Sequence, residues 1–327
     1  MGQSVKPQER NREMKLNEKT MQKTGVVVAL ALLANLLWGS AAPVIKIGYR
    51  LLRIRTDHIP SLILFAGLRF TLAGVLAVLL GSLLAGKLLL SKKSSLSKIG
   101  VLAMLQTVIQ YTFFYIGCAH ASGVKVSIVV ATNVFVDIII SSLLFRQEKL
   151  TGRKLIGCLI GFAGVVLVNL SSAGGLDFQM SLAGEGCILL STVAYAFSYV
   201  TMKSYSKTED PVMLSGYQFI LGGLIMIVIG LSFGDRLGTV NGAGLLLLLY
   251  LALVSAVAYS VWSLLMKYNP VSRVSVFGFM NPVFGVLLSA LLLGESGQAF
   301  GAQGLIALAL VCTGTLVVNR GKKVEKQ

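Results

Sequence analysis

Asp137 sits near the middle of an apolar run from Val124 to Phe145, and its carboxyl group poses the first chemical question of the chain. At that depth of a bilayer an ionisable side chain costs about 2.5–3.5 kcal/mol unless it faces protein, water or a partner, so Asp137 must face inward. Asn133, Asp137 and Ser141 recur every four residues and therefore share one helix face along an interior seam. Arg69 is the expected partner: counted at about 1.5 Å per residue from the outer ends of the two helices, it lies roughly 6 Å from Asp137 in depth. The pair has two readings, a charge-compensated link that only holds helices together, or a carboxylate that responds to protons or substrate.

A second group of residues offers binding rather than bond-making chemistry. Gln106 and Gln110 lie four residues apart with Tyr111, Phe114 and Tyr115 nearby, and Ser255, Tyr259 and Ser263 form one row beside Trp262. Together with Trp38, Tyr195, Tyr199, Asn133 and Asn281 they would build a chamber of aromatic faces and neutral hydrogen-bonding groups. Such a chamber suits a small polar or zwitterionic solute with an apolar portion. Taken singly, each polar group could equally bridge two helices inside a membrane. Their concentration on corresponding segments is what points to a cavity.

The remaining motifs carry less. The string Gly81 to Lys87 satisfies GxxxxGK, but position 88 is Leu and the stretch closes an apolar helix, which is the wrong context for a phosphate loop. His58 and His120 sit at membrane edges, without a metal-binding HExxH or a nucleophile at a recognisable spacing. Cys118, Cys158, Cys187 and Cys312 lie inside apolar segments without metal-ligand spacing and read as core thiols. No catalytic set, metal or cofactor is expected.

These side chains must be held by membrane helices. Of 327 residues 55% are apolar and 13% charged, against roughly 25% charged in soluble proteins, and the mean hydropathy is +0.80. That excludes a soluble enzyme or DNA binder. The 29 Lys and Arg against 13 Asp and Glu give a net charge of +16, but the basic residues are scattered in short runs rather than gathered into a nucleic-acid patch. Ten apolar runs are long enough to span a bilayer: Gly25 to Ile45, Pro60 to Ala85, Ile99 to Ala119, Val124 to Phe145, Leu155 to Ser172, Leu182 to Met202, Pro211 to Phe233, Gly242 to Met266, Val274 to Leu293 and Gly301 to Asn319. Basic residues collect before the first run and after the even-numbered ones, for example at Lys92, Arg146, Lys203, Arg273 and Lys322, with Arg50, Arg53 and Arg55 as the exception. Both termini are thus expected in the cytoplasm, with the chain multi-pass in the inner (plasma) membrane.

Tyr111 to Ser127 matches Tyr259 to Ser275 at a constant offset of 148, with Lys125 meeting Arg273. Trp38 and Lys46 likewise meet Tyr195 and Lys203, Arg69 meets Gln218, and Gly164 to Asn169 meets Gly314 to Asn319. The expected fold is all-α and polytopic, ten transmembrane helices in two five-helix repeats. Five being odd, the second copy enters the membrane inverted, the plan on which alternating access is commonly built. The expected organisation is a cytoplasmic segment 1–24, a first repeat 25–172, an outer linker 173–181, a second repeat 182–319 and a cytoplasmic tail 320–327. Pro43 and the Asn281-Pro282 pair would bend their helices, as hinges or as static kinks. Gly157, Gly161 and Gly164 leave a groove for close contact, within the bundle or between subunits, so monomer and homodimer both stand.

At this point the chain resembles the drug/metabolite transporter superfamily, specifically its ten-span EamA-type members. The resemblance rests on WGS at Trp38 to Ser40 followed by Lys46, LRF at Leu68 to Phe70, NP at Asn281 and Pro282, GE at Gly294 and Glu295, and the GVVLVN and GTLVVN endings of the halves. It covers nearly all of the chain after Lys23 and implies a carrier of small metabolites, often an exporter of amino acids, with a central cavity. Two features depart from the pattern: Val134 stands where such proteins often show proline, and the Glu148 and Glu295 segments differ by one residue in spacing. Glu148 and Glu295 are expected to anchor or cap at opposite membrane faces. The expected function is alternating-access transport of a small organic solute, with protons as a candidate coupling ion. The alternatives are a membrane-embedded enzyme acting on lipid-linked substrate and a non-transporting sensor.

Overall fold

The structure is a computed structural model that describes residues 20–146, 150–170, 180–234, 242–269, 273–274 and 276–319. Glu148, most of the expected linker and both terminal segments as far as residues 1–19 and 320–327 lie outside them. Among these described residues ten principal helices follow one another: α1 (Thr24–Leu51), α2 (Ile59–Ala85), α3 (Lys93–His120), α4 (Gly123–Leu143), α5 (Gly152–Val168), α6 (Leu182–Tyr205), α7 (Pro211–Ser232), α8 (Gly242–Tyr268), α9 (Met280–Leu293) and α10 (Ala302–Asn319). Eight are long and apolar enough to cross a membrane. The exceptions are α5 and α9, which are 17 and 14 residues long.

Local chemistry sets the helix ends. Ser122 and Thr151 accept hydrogen bonds from the backbone N–H groups of Lys125 and Lys154, opening α4 and α5. Asp210 does the same for Val212 and Met213, with Pro211 in the first turn of α7. Gly86 closes α2 in the left-handed conformation at φ 62°, so the second glycine of the GxxxxGK string is a helix terminator. Helix α1 runs to Leu51, past the expected end at Ile45, because Lys46 finds partners inside the protein (below) and the helix need not stop at the hydrocarbon edge.

Glycine contacts fix the relation of the halves. Helices α2 and α7, sequence counterparts, lie against each other along their whole length. A Cβ added at Gly67 would stand 2.8 Å from the carbonyl oxygen of Gly223, and one at Gly74 would stand 2.5 Å from that of Gly216. Further along, Gly81 meets Val212. Partner numbers fall as residue numbers rise, so the two counterparts run antiparallel. Helices α5 and α10 repeat the arrangement, Gly157 facing Gly314 and Gly164 facing Ala307. The groove of Gly157, Gly161 and Gly164 is therefore filled within the bundle. Helix α1 packs on α8 and α9 while α6 packs on α3 and α4, the same pairing with the halves exchanged. Counterpart helices that are antiparallel are the mark of an inverted repeat.

Candidate functional site

A cavity of about 210 Å³ lies between the halves. It is lined by α1, α2, α3, α4, α6, α8, α9 and α10. Its wall includes two helix interruptions at equivalent places. Helix α4 breaks between Val130 and Asn133, where the N–H of Thr132 bonds the carbonyl of Val129 three residues back at 3.0 Å. Offset by 148, the tight turn Val276–Phe279 meets Met280 at the start of α9. Pro282 follows in α9, whereas Val134 occupies the matching position of α4, so the break does not require the proline. Asn133, Val134, Gly278, Asn281 and Pro282 all face the cavity, which puts irregular backbone only beside a polar space.

Eleven of the fourteen residues expected in the chamber line it: Trp38, Gln110, Tyr111, Phe114, Asn133, Asp137, Tyr195, Ser255, Tyr259, Trp262 and Asn281. Trp38 anchors the aromatic part, edge-on to Tyr259 at 5.5 Å and to Trp262 at 5.3 Å between ring centroids. The other three lie elsewhere. Gln106 is buried behind the wall, donating to the Tyr259 hydroxyl at 3.2 Å and accepting from Gln218 at 3.2 Å. Tyr115 is fully buried, its hydroxyl accepting from Arg69 at 2.9 Å. Tyr199 is 40% exposed and stacks on Tyr195 from outside. Asn35, Ser127, Ser191 and Thr315 join the lining without having been expected there. Small polar residues in apolar runs carry no periodic signal of their own.

Arg69 corrects the expected ion pair. It lines the cavity together with Asp137, yet its guanidinium donates to the Leu251 carbonyl at 3.2 Å, the Tyr115 hydroxyl at 2.9 Å and the Ser255 hydroxyl at 3.0 Å. It also lies 4.8 Å from the Phe70 ring centroid. Depth alone did not decide the pairing, because these donors are drawn sideways to α3 and α8. Gln218, the counterpart of Arg69 on α7, is bonded by the hydroxyl of Thr107 at 2.5 Å. Thr107 and Ser255 are themselves 148 residues apart, so the two hydrogen bonds are related by the repeat.

The end of the bundle that carries the α3–α4 link is clamped. Lys46 on α1 donates to the carbonyls of Cys118 and Ala121 at 3.0 and 2.7 Å, closing the C-terminus of α3. Glu295, just after α9, accepts from the N–H groups of Gly123 and Val124 at 3.0 and 2.8 Å, capping α4 as expected for this residue. Lys125 pairs with Glu185 on α6 at 2.8 Å, with Glu185 only 4% exposed. Beneath, a Cβ at Gly39 of α1 would stand 2.8 Å from Phe284 of α9. Two elements of the second half, α6 and α9 with the Glu295 that follows it, thus seal the α3–α4 end. At the opposite end Arg273 reaches the Thr24 hydroxyl at 2.7 Å, a neutral partner.

A doubled, inverted bundle around a polar chamber at its helix breaks is the construction of a multi-pass membrane transporter. Residues 25–170 and 182–320 each match the EamA-like transporter family, and the chain belongs to that family. It is 26% identical to the uncharacterized transporter YvbV of Bacillus subtilis (strain 168) over 94% of this chain and 96% of that protein. It is 27% identical to a probable amino-acid metabolite efflux pump of Salmonella typhimurium (strain LT2), over 91% and 96% of the two chains. One solved protein crystal structure superposes with a TM-score of 0.61 over 90% of this chain and 96% of that one; at 21% identity the likeness is one of fold.

Proposed function

We propose that this transporter moves a small organic metabolite of the amino-acid type, outward across the cell membrane, by rocking two inverted halves about the central chamber. The observation that supports this reading best is the chamber itself, enclosed where α4 and α9 break and sealed at the α3–α4 end. Its size and its mix of aromatic faces with amide and hydroxyl groups favour one solute of modest length. The outward direction rests on likeness to a relative whose name is that of an efflux pump. With both termini in the cytoplasm, the sealed end faces outside and the chamber belongs to an inward-facing stage of the cycle. Asp137 is the deep carboxylate assigned to proton coupling.

The test is counterflow in sealed proteoliposomes, preceded by a thermal-shift screen of amino acids, nucleobases, sugars and organic amines. Saturable exchange that weakens in Tyr111→Ala, Gln110→Ala and Trp262→Ala is expected. Unchanged affinity in all three variants moves the site elsewhere, and product formation in detergent without a second compartment replaces the carrier by an enzyme.

A further inference from the structure

Arg69 is 2% exposed, and among the described residues no carboxylate forms an ion pair with it. A guanidinium carries five N–H donors. Three hydrogen bonds are made, all to neutral oxygens, and the group stands in the cavity wall. A buried charge without a counter-ion is costly in a membrane, where ionisable groups pair or face a polar space. Two further groups on the same wall want the opposite chemistry. The side-chain oxygens of Gln110 and Asn133 are buried acceptors with no hydrogen-bond donor among the described residues. Asp137, one turn beyond Asn133, lines the same cavity.

We infer that the missing counter-ion is the solute's own: Arg69 is the receptor for a carboxylate, and Gln110 with Asn133 receives an ammonium group, so the chamber requires a solute that carries both. The inference rests on the carrier reading above and adds a rule of selection to it. An α-amino acid carries both groups on one carbon and leaves its side chain to the aromatic group around Trp38. A decarboxylated amine or an amino-acid amide leaves Arg69 unneutralised. Planar, bidentate recognition of a carboxylate is what an arginine supplies and a lysine does not.

The experiment uses the purified full-length protein in lipid nanodiscs and a panel of six L-amino acids from alanine to tryptophan, each with its amide, its deaminated acid and its decarboxylated amine. At least one amino acid is expected to raise the melting midpoint, and its amide and amine to bind about tenfold more weakly or worse. Arg69→Gln abolishes that preference, Arg69→Lys keeps part of it, and Asn133→Leu narrows the gap between an amino acid and its deaminated acid. The comparison within the wild type stands even where a variant fails to fold. An amide or amine that binds as well as its parent acid overturns the assignment, as does a panel in which no carboxylate binds. Counterflow of the same compounds separates the two readings. Exchange of an amine or amide keeps the carrier and removes Arg69 as receptor, whereas carboxylate binding without any exchange keeps the receptor and removes the carrier.

Discussion

Glu295 holds the two halves together at one end through two backbone N–H groups of α4, at 3.0 and 2.8 Å. Hydrogen bonds to a charged acceptor are worth about 1.5–3 kcal/mol each, and water recovers part of that once the end opens. A net loss of about 2 kcal/mol for Glu295→Ala is therefore expected, confined to the state in which α9 lies against the start of α4. At 1.4 kcal/mol per tenfold, the balance between sealed and open α3–α4 ends moves by about 30-fold. Ser127 lines the cavity beneath the seal and reports on it. In a background with Cys118, Cys158, Cys187 and Cys312 replaced by alanine, Ser127→Cys should react with an impermeant maleimide from the α3–α4 side. Adding Glu295→Ala should raise that rate by one order of magnitude or more, and Glu295→Gln should give a smaller rise. A rate unchanged by Glu295→Ala in protein that remains folded would refute the clamp.

Gly74→Ala should destabilise the bundle by about 1–3 kcal/mol through overpacking against Gly216, while Gly25→Ala, with nothing within 4 Å, should leave the melting midpoint unchanged. Asp137→Asn is expected to flatten the pH dependence of transport in proteoliposomes; a wild-type profile at every pH in folded protein removes the coupling role. Outside the membrane, Lys98 bonded to Glu209 at 2.9 Å holds that carboxyl below its ordinary value of 4.5. A depressed folded-state value means stability that is fully present above about pH 4.5 and lost as pH falls from there through the lower folded-state value. Melting curves from pH 6 to pH 3 should fall less steeply for Glu209→Gln than for the wild type, and parallel curves would remove the pair from the acid response.

Ten helices and their inverted doubling were legible because both depend on regularities that run along the chain, hydrophobic length and a constant offset. The chamber was legible in outline because polar and aromatic groups in apolar runs must face inward. Its errors have local causes. Gln106 and Gln110 share a face in a regular helix, but Ala103–Ile109 is wound as a wider π-helical stretch, which shifts the phase and sends Gln106 toward α7 and α8. Tyr115 is turned away by Arg69. The Lys46 and Glu185 contacts joining α1 to α3 and α6 to α4 were not foreseen, since a charge near a helix end reads as interfacial until its neighbour in space is known.

The places where the two halves differ say more about function than those where they agree. The shared features, antiparallel glycine crossings and matched breaks in α4 and α9, give both halves one framework. Chemistry enters by substitution at matched positions. Arg69 and Gln218 occupy equivalent buried sites, Arg69 donating to Ser255 and Gln218 accepting from Thr107, and only one carries charge. A cation repeated on both halves would place two like charges in one chamber of low dielectric, and an amide on both would leave nothing to hold an anion. One arginine in a symmetric frame gives the chamber a single positive pole among its lining residues.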